Sequence, residues 1–211
     1  MEQEILKTGT TTIGFHYADG VILAADRRAT AGSMIVDKRI KKAVIINERM
    51  ALTTAGSVSE LQFLMKLIKA EIRLKEVSTN RPMLVKEAAN LLSQLVYSSI
   101  RRMSMLPSIV HFLFAGKDQK GIHLYDIYPD GSLTEIETFV ASGSGSVFAM
   151  GVLETLWKEK MSEAEAKTLA LKAINAALQR DSASGDGIII VRITKDGAQE
   201  IEAKTLTASL L

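Results

Sequence analysis

Cysteine is absent from the 211 residues, which excludes disulfides and thiolate metal sites. An excess of charge of one sign is lacking as well. The formal net charge is +2, too small to argue for a nucleic-acid surface, and no block of like charges stands out. No apolar run approaches the roughly 18 residues that a membrane-spanning helix needs, so no membrane span is expected. Histidine is scarce. His16, His111 and His123 lie far apart, no pair has metal-ligand spacing, and structural roles on strands are expected, with no metal and no cofactor. The leading segment Met1-Glu2-Gln3-Glu4-Ile5-Leu6-Lys7-Thr8 is acidic and has no apolar stretch, so it does not read as a secretory signal. A cytoplasmic protein is expected. What remains is 47% hydrophobic and 24% charged, the profile of one globular domain with a large core and no internal linker.

The apolar pattern alternates between two periods. Strands are expected over 10–16 and 21–25, joined by the Asp19-Gly20 turn. Two more follow over 43–46 and 50–55. Ser57-Val58-Ser59-Glu60 has the form of a capping box and should open a helix with Leu61, Leu64, Met65, Ile68 and Ile72 at helical spacing. A second helix is expected over 83–103. Strands return over 109–115 and 122–127, with another after Pro129-Asp130-Gly131. A helix follows Gly145, and one more spans 162–181, opened by the capping box Ser162-Glu163-Ala164-Glu165. A strand over 187–194, the Asp196-Gly197 turn and a last strand close the chain. Runs of strands, then helices, then strands argue α+β with antiparallel sheets. Many strands are apolar on both faces, as if each sheet were covered twice.

Five stretches could carry chemistry. Gly9-Thr10-Thr11-Thr12-Ile13-Gly14 comes first. If the Gly9–Thr10 bond were cut, Thr10 would carry a hydroxyl nucleophile and a free α-amine on one residue, and that amine is a base near neutral pH. The plainer alternative is a β-branched strand start. Asp26-Arg27-Arg28-Ala29-Thr30 ends a buried strand and is either functional or a solvated strand end. Lys42 closes Lys38-Arg39-Ile40-Lys41-Lys42, which could equally be surface charge. Ala141-Ser142-Gly143-Ser144-Gly145-Ser146 stands at a helix start and could cradle a phosphate. It fails the dinucleotide pattern, since Phe148 stands where the third glycine belongs. Arg180-Asp181-Ser182-Ala183-Ser184-Gly185-Asp186-Gly187 is by itself an ordinary helix end and turn.

Taken together, these stretches resemble the catalytic β subunit of the proteasome core particle, of the archaeal type. The likeness runs over nearly the whole chain, from the leader ending in Gly9 through Asp26-Arg27-Arg28-Ala29-Thr30, Lys42, Thr54-Ala55-Gly56 and Gly143-Ser144-Gly145-Ser146 to Arg180-Asp181-Ser182-Ala183-Ser184-Gly185. It implies an N-terminal-nucleophile hydrolase, a four-layer αββα sandwich of two antiparallel sheets between helix layers. It implies a propeptide over 1–9, self-cleaved at Gly9–Thr10, and a catalytic domain over 10–211. Thr10 would be the nucleophile and Lys42 the neighbouring cation, paired with Asp26. Gly56 would donate its N–H to the oxyanion. Ser144, Asp181 and Ser184 would orient the Thr10 amine. Thr30 and Gly56 would pair with substrate backbone, and Ala29, Ile40, Val44, Thr54 and Val58 would line a roomy apolar pocket for the residue before the cut bond. The implied partners are proteasome α subunits, other β subunits in stacked seven-membered rings, a regulatory ATPase on the α rings and unfolded polypeptide substrate. A bacterial two-ring peptidase of the same fold begins Thr-Thr but lacks the Arg-Asp-Ser-Ala-Ser-Gly motif. A non-catalytic ring subunit usually loses the threonine or the lysine. A sugar- or nucleotide-binding domain would leave Thr10, Asp26 and Lys42 unexplained.

Overall fold

The computed structural model describes residues 9–103 and 109–205. Six strands open the described chain: β1 (Thr12–Tyr17), β2 (Gly20–Asp26), β3 (Ala29–Ala31), β4 (Met34–Asp37), β5 (Ala43–Asn47) and β6 (Met50–Gly56). Helices α1 (Val58–Thr79) and α2 (Val85–Ile100) follow. Then come β7 (Val110–Asp118), β8 (Gly121–Ile127), β9 (Leu133–Glu135) and β10 (Phe139–Ser142), helices α3 (Ser146–Leu156) and α4 (Glu163–Leu178), and strands β11 (Gly187–Thr194) and β12 (Gly197–Thr205). One five-stranded sheet has the order β10-β1-β2-β11-β12, the other β5-β6-β7-β8-β9, and the pairings are antiparallel.

The strands that are apolar on both faces are the ones with packing on both sides. Successive side chains of a strand point to opposite faces. On β2, Ile22 and Ala24 join Ile13 and Phe15 against Ala149 and Leu153 of α3 and Ala166, Ala170 and Ala173 of α4. The intervening Val21, Leu23 and Ala25 meet Ala51, Leu113, Ala115 and Leu124 of the other sheet. That second sheet turns Met50, Leu52, Phe112 and Phe114 outward to Leu64, Ile68, Leu92 and Val96 of α1 and α2. Helix pair, sheet, sheet, helix pair is the four-layer sandwich expected. Each fully buried Leu, Ile or Phe contributes roughly 1.5–3 kcal/mol to holding these layers together.

Three details depart from expectation. The segment after Asp26 folds back as a two-stranded hairpin, β3–β4, with β4 exposed over its length. The stretch after Pro129 makes two strands, and they belong to different sheets: β9 pairs with β8, β10 with β1. The capping box at Ser57 does not form. Ser57 is the N-cap of α1 without a side-chain cap bond: its hydroxyl pairs with Ser59 Oγ at 3.3 Å and its N–H donates to Ile109 O at 3.0 Å, while Glu60 accepts from the Ser99 hydroxyl of α2. The box at Ser162 does form, with Glu165 N donating to Ser162 Oγ and Ser162 N to Glu165 Oε2 at 2.8 Å. Of the expected leader over 1–9, all but Gly9 lies outside the described residues, as do residues 206–211 of the expected catalytic domain. No helix among the described residues is long and apolar enough to cross a membrane.

Candidate active site

Thr10 and Thr11 lie just ahead of β1, in the seam where the ends of β2, β10 and α4 meet. The backbone closes this seam directly. Asp26 N donates to Thr11 O at 3.1 Å, at the last residue of β2. The Gly143–Gly145 loop between β10 and α3 wraps the other side. A Cβ at Gly143, where φ is +88°, would stand 2.1 Å from Thr10 O, and one at Gly145 would stand 2.0 Å from Thr11 Oγ1. The glycines of the Gly-Ser stretch are therefore there to let this loop close on Thr10, and no phosphate cradle is needed to explain them.

The Gly9–Thr10 link is intact, so the Thr10 nitrogen is an amide. Thr10 Oγ1 donates to Gly9 O at 2.7 Å. Lys42 Nζ donates to the same carbonyl oxygen at 3.2 Å and to Asp26 Oδ1 at 2.8 Å. Asp26 is fully buried and Lys42 is 4% exposed. Burial pulls the Lys42 ammonium below its usual range, and the Asp26 carboxylate pushes the other way. Asp26 is held by backbone as well as by lysine. Thr11 N donates to its Oδ1 at 2.9 Å, and Arg28 N and Gly185 N each donate to Oδ2 at 3.0 Å. Arg28 in turn ties down the loop after α4, with Nε on Asp186 Oδ2 at 2.7 Å and a second nitrogen on Ser182 O at 3.0 Å. Gly185 lies flat against that guanidinium, where a Cβ would meet it at 2.2 Å.

A second polar group faces the other side of Thr10. Thr10 N donates to Ser144 Oγ at 3.2 Å. Ser144 Oγ and Ser184 Oγ both donate to Asp181 Oδ2, each at 2.6 Å. Asp181 stands just past α4, where its own N–H still reaches Ala177 O at 2.8 Å. Ser184 is buried and Ser144 exposed.

Thr10 opens onto a cleft lined by Ala29, Thr30, Ile40, Lys42, Thr54, Gly56 and Val58, together with Leu61, Gln62 and Met65 of α1. Gly56 has φ of +119°, and a Cβ there would meet Ile109 O at 2.2 Å, so this corner admits only glycine. Thr30 Oγ1 accepts from Gly9 N at 3.0 Å. Of the residues expected to form the apolar pocket, Val44 is the one the cleft does not include. Ala43 turns to the inter-sheet core, so Val44, next along β5, packs on the opposite side against the cluster beneath α1 and α2. The α1 contribution from Leu61, Gln62 and Met65 was missed. Their spacing on the first two turns of α1 was the available signal, but it also fits an ordinary core face.

The histidines stand apart from this constellation. His16 Nε2 donates to Ile136 O at 2.9 Å, His111 meets Asp126 at 2.5 Å and His123 meets Glu135 at 2.8 Å. No group of three or more metal-ligating side chains occurs among the described residues.

Comparison with known proteins agrees with the geometry. A family model described as "Proteasome subunit" matches residues 6–193. The chain is 44% identical to "Proteasome subunit beta" of Archaeoglobus fulgidus over 196 residues, 93% of this chain and 90% of the relative. It is 43% identical to "Proteasome subunit beta" of Ferroglobus placidus over 202 residues, 96% of this chain and 94% of the relative. It is 41% identical to "Proteasome subunit beta 2" of Sulfurisphaera tokodaii over 199 residues, 94% of this chain and 93% of the relative.

Proposed function

This chain belongs to the proteasome subunit family, and from that premise we propose that it is a β subunit of the core particle acting as a threonine endopeptidase. The observation that carries the proposal is the crowding of Thr10 Oγ1 and Lys42 Nζ on one carbonyl, Gly9 O, at 2.7 and 3.2 Å.

Maturation comes first. Thr10 Oγ adds to the Gly9 carbonyl carbon, and the negative charge that develops on Gly9 O faces the Lys42 ammonium. Collapse breaks the C–N bond, the nitrogen takes a proton, and an ester joins Gly9 to Thr10 Oγ. Water hydrolyses that ester, releasing the leader as a carboxylate and freeing both the hydroxyl and the α-amine of Thr10. Before this step the nitrogen is an amide and cannot act as a base, so the precursor is inactive on peptides.

Peptide hydrolysis then reuses the same groups. Thr10 Oγ attacks the substrate carbonyl while the α-amine takes its proton. Lys42, held by Asp26, places positive charge beside the amine and disfavours the ammonium form. The Gly56 N–H donates to the oxyanion. The amine returns its proton to the leaving nitrogen, and water releases the acyl group. Ser144, Asp181 and Ser184 orient the amine. Thr30 and Gly56 hold the substrate as an added strand, and Ala29, Ile40, Thr54 and Val58 admit a medium or large apolar side chain before the cut bond. The site works inside stacked seven-membered rings capped by α subunits and an ATPase, in the cytoplasm, on unfolded polypeptide.

Co-expression with an α subunit from the same source, followed by intact-mass and fluorogenic-peptide assays, tests the proposal. The mature chain should begin at Thr10. Thr10→Ala should keep the leader and hydrolyse no peptide; full activity in that variant ends the assignment.

A further inference from the structure

The second threonine of the Thr10-Thr11-Thr12 run turns its hydroxyl to Ser184. Thr11 is fully buried, and its hydroxyl lies 2.7 Å from Ser184 Oγ. Which of the two donates follows from counting protons. A hydroxyl has one proton to give, and a carboxylate only accepts. Ser184 gives its proton to Asp181 Oδ2 at 2.6 Å. It therefore has none left for Thr11, and Thr11 is the donor. Ser144 Oγ has two acceptors in reach, Asp181 Oδ2 at 2.6 Å and Thr10 O at 3.3 Å; its proton goes to the nearer carboxylate, and toward Thr10 N, at 3.2 Å, it accepts. The whole path then runs one way: Thr11 into Ser184, Ser184 into Asp181, and Thr10 N into Ser144 into Asp181.

We infer that the Thr11 hydroxyl is a positioning group for the Thr10 base. It acts by holding Ser184 in place behind Asp181, whose carboxylate sets the direction of the path. The inference rests on the proposal that Thr10 is the nucleophile and its freed amine the base. With Ser144 committed as an acceptor, the amine turns an N–H toward it, and its lone pair stays free for the Thr10 Oγ proton. A Ser144 released from Asp181 can turn its own proton onto that lone pair and occupy the base. Thr11 guards against this by filling the acceptor side of Ser184, which anchors the Asp181 carboxylate from below. Its backbone serves the opposite group at the same time. Thr11 N donates to Asp26 Oδ1 at 2.9 Å, and Thr11 O accepts from Asp26 N at 3.1 Å. One residue thus ties the Asp26–Lys42 pair to the Asp181 group. Gly145 packs beside this hydroxyl, where a Cβ would stand 2.0 Å from Thr11 Oγ1.

Thr11→Val keeps the β-branched shape and removes the donor, and Thr11→Ser keeps the donor and removes the methyl. Each is to be matured with the α partner beside the unaltered chain. The expected result for Thr11→Val is a kcat lower by roughly ten-fold, the worth of one ordinary hydrogen bond, with KM within about two-fold. Thr11→Ser should return kcat to within about three-fold of the unaltered chain. Unchanged kcat in Thr11→Val, a loss that falls on KM, or a Thr11→Ser as slow as Thr11→Val overturns the inference. If Thr11→Val does not accumulate as folded protein, Thr11→Ala replaces it against Thr11→Ser, with the same outcomes deciding. An unaltered chain that neither matures nor cuts peptide instead removes the enzyme proposal, and this inference with it.

Discussion

Lys42 and Asp26 form a buried ion pair, yet the two residues are not equally dependent on each other. Asp26 keeps three backbone donors, from Thr11, Arg28 and Gly185, when the lysine is removed. Among the described residues, Lys42 keeps only the Gly9 carbonyl when the aspartate is removed. A buried charge left without its partner costs about 3–5 kcal/mol, whereas a carboxylate that remains hydrogen-bonded loses closer to 1–3 kcal/mol. Urea denaturation in a Thr10→Ala background should therefore rank Asp26→Ala as clearly less stable than Lys42→Ala. The opposite ranking would contradict this account of the pair. In activity Lys42→Ala should lose orders of magnitude, and Lys42→Arg should not restore it, because a planar guanidinium does not fit a slot shaped for a compact ammonium. Fluorogenic-peptide rates decide, and a Lys42→Ala within a few-fold of the unaltered chain would make Lys42 a structural charge only.

Two helices begin with the same sequence pattern and are capped differently. Ser162 receives the N–H of Glu165, while the hydroxyl of Ser57 pairs with Ser59 and caps nothing. Ser162→Ala should lower stability by about 1 kcal/mol, and Ser57→Ala by less than about half of that. Thermal or denaturant midpoints of the two variants test this directly. Strand β1 carries a pH dependence through His16. Burial lowers its pKa below the ordinary 6.5, the bond to Ile136 O opposes the shift, and the nearby His123 adds to it. The unfolded chain therefore binds this proton at higher pH than the folded one. The stabilisation is full above the unfolded value and is lost as pH falls through the lower folded value. His16→Gln, which can still donate to Ile136 O, should lose less stability between about pH 7.5 and about pH 5 than the unaltered chain. Parallel denaturation curves would show that His16 does not couple.

At the scale of the molecule, apolar side chains remain on the outside of a filled core. Leu61, Leu64, Ile68 and Ile72 are core, and Val58 and Met65 line the cleft. Exposed apolar side chains include Phe63, Leu74 and Val77 on α1, Val147, Phe148 and Leu156 on α3, and Met34, Ile35 and Val36 on β4. Such surface suits contacts between subunits. Native mass spectrometry with the α partner should find peptidase activity only in a closed multi-subunit particle. A monodisperse monomer with full activity would end the ring assignment. The sequence by itself determined the order of strands and helices, because their periodicities are local, whereas the four layers followed only from the resemblance to a known family. It also held every residue of the Thr10 constellation, but as separate stretches with ordinary local explanations. Only the tertiary structure decided that Lys42 is buried rather than surface charge, that Val44 turns away from the cleft while Gln62 and Met65 line it, and that the hydroxyls of Thr11 and Ser184 meet. Those facts depend on contacts between residues up to 173 positions apart, set by which face of each strand meets which layer, and spacing along the chain carries no record of that choice.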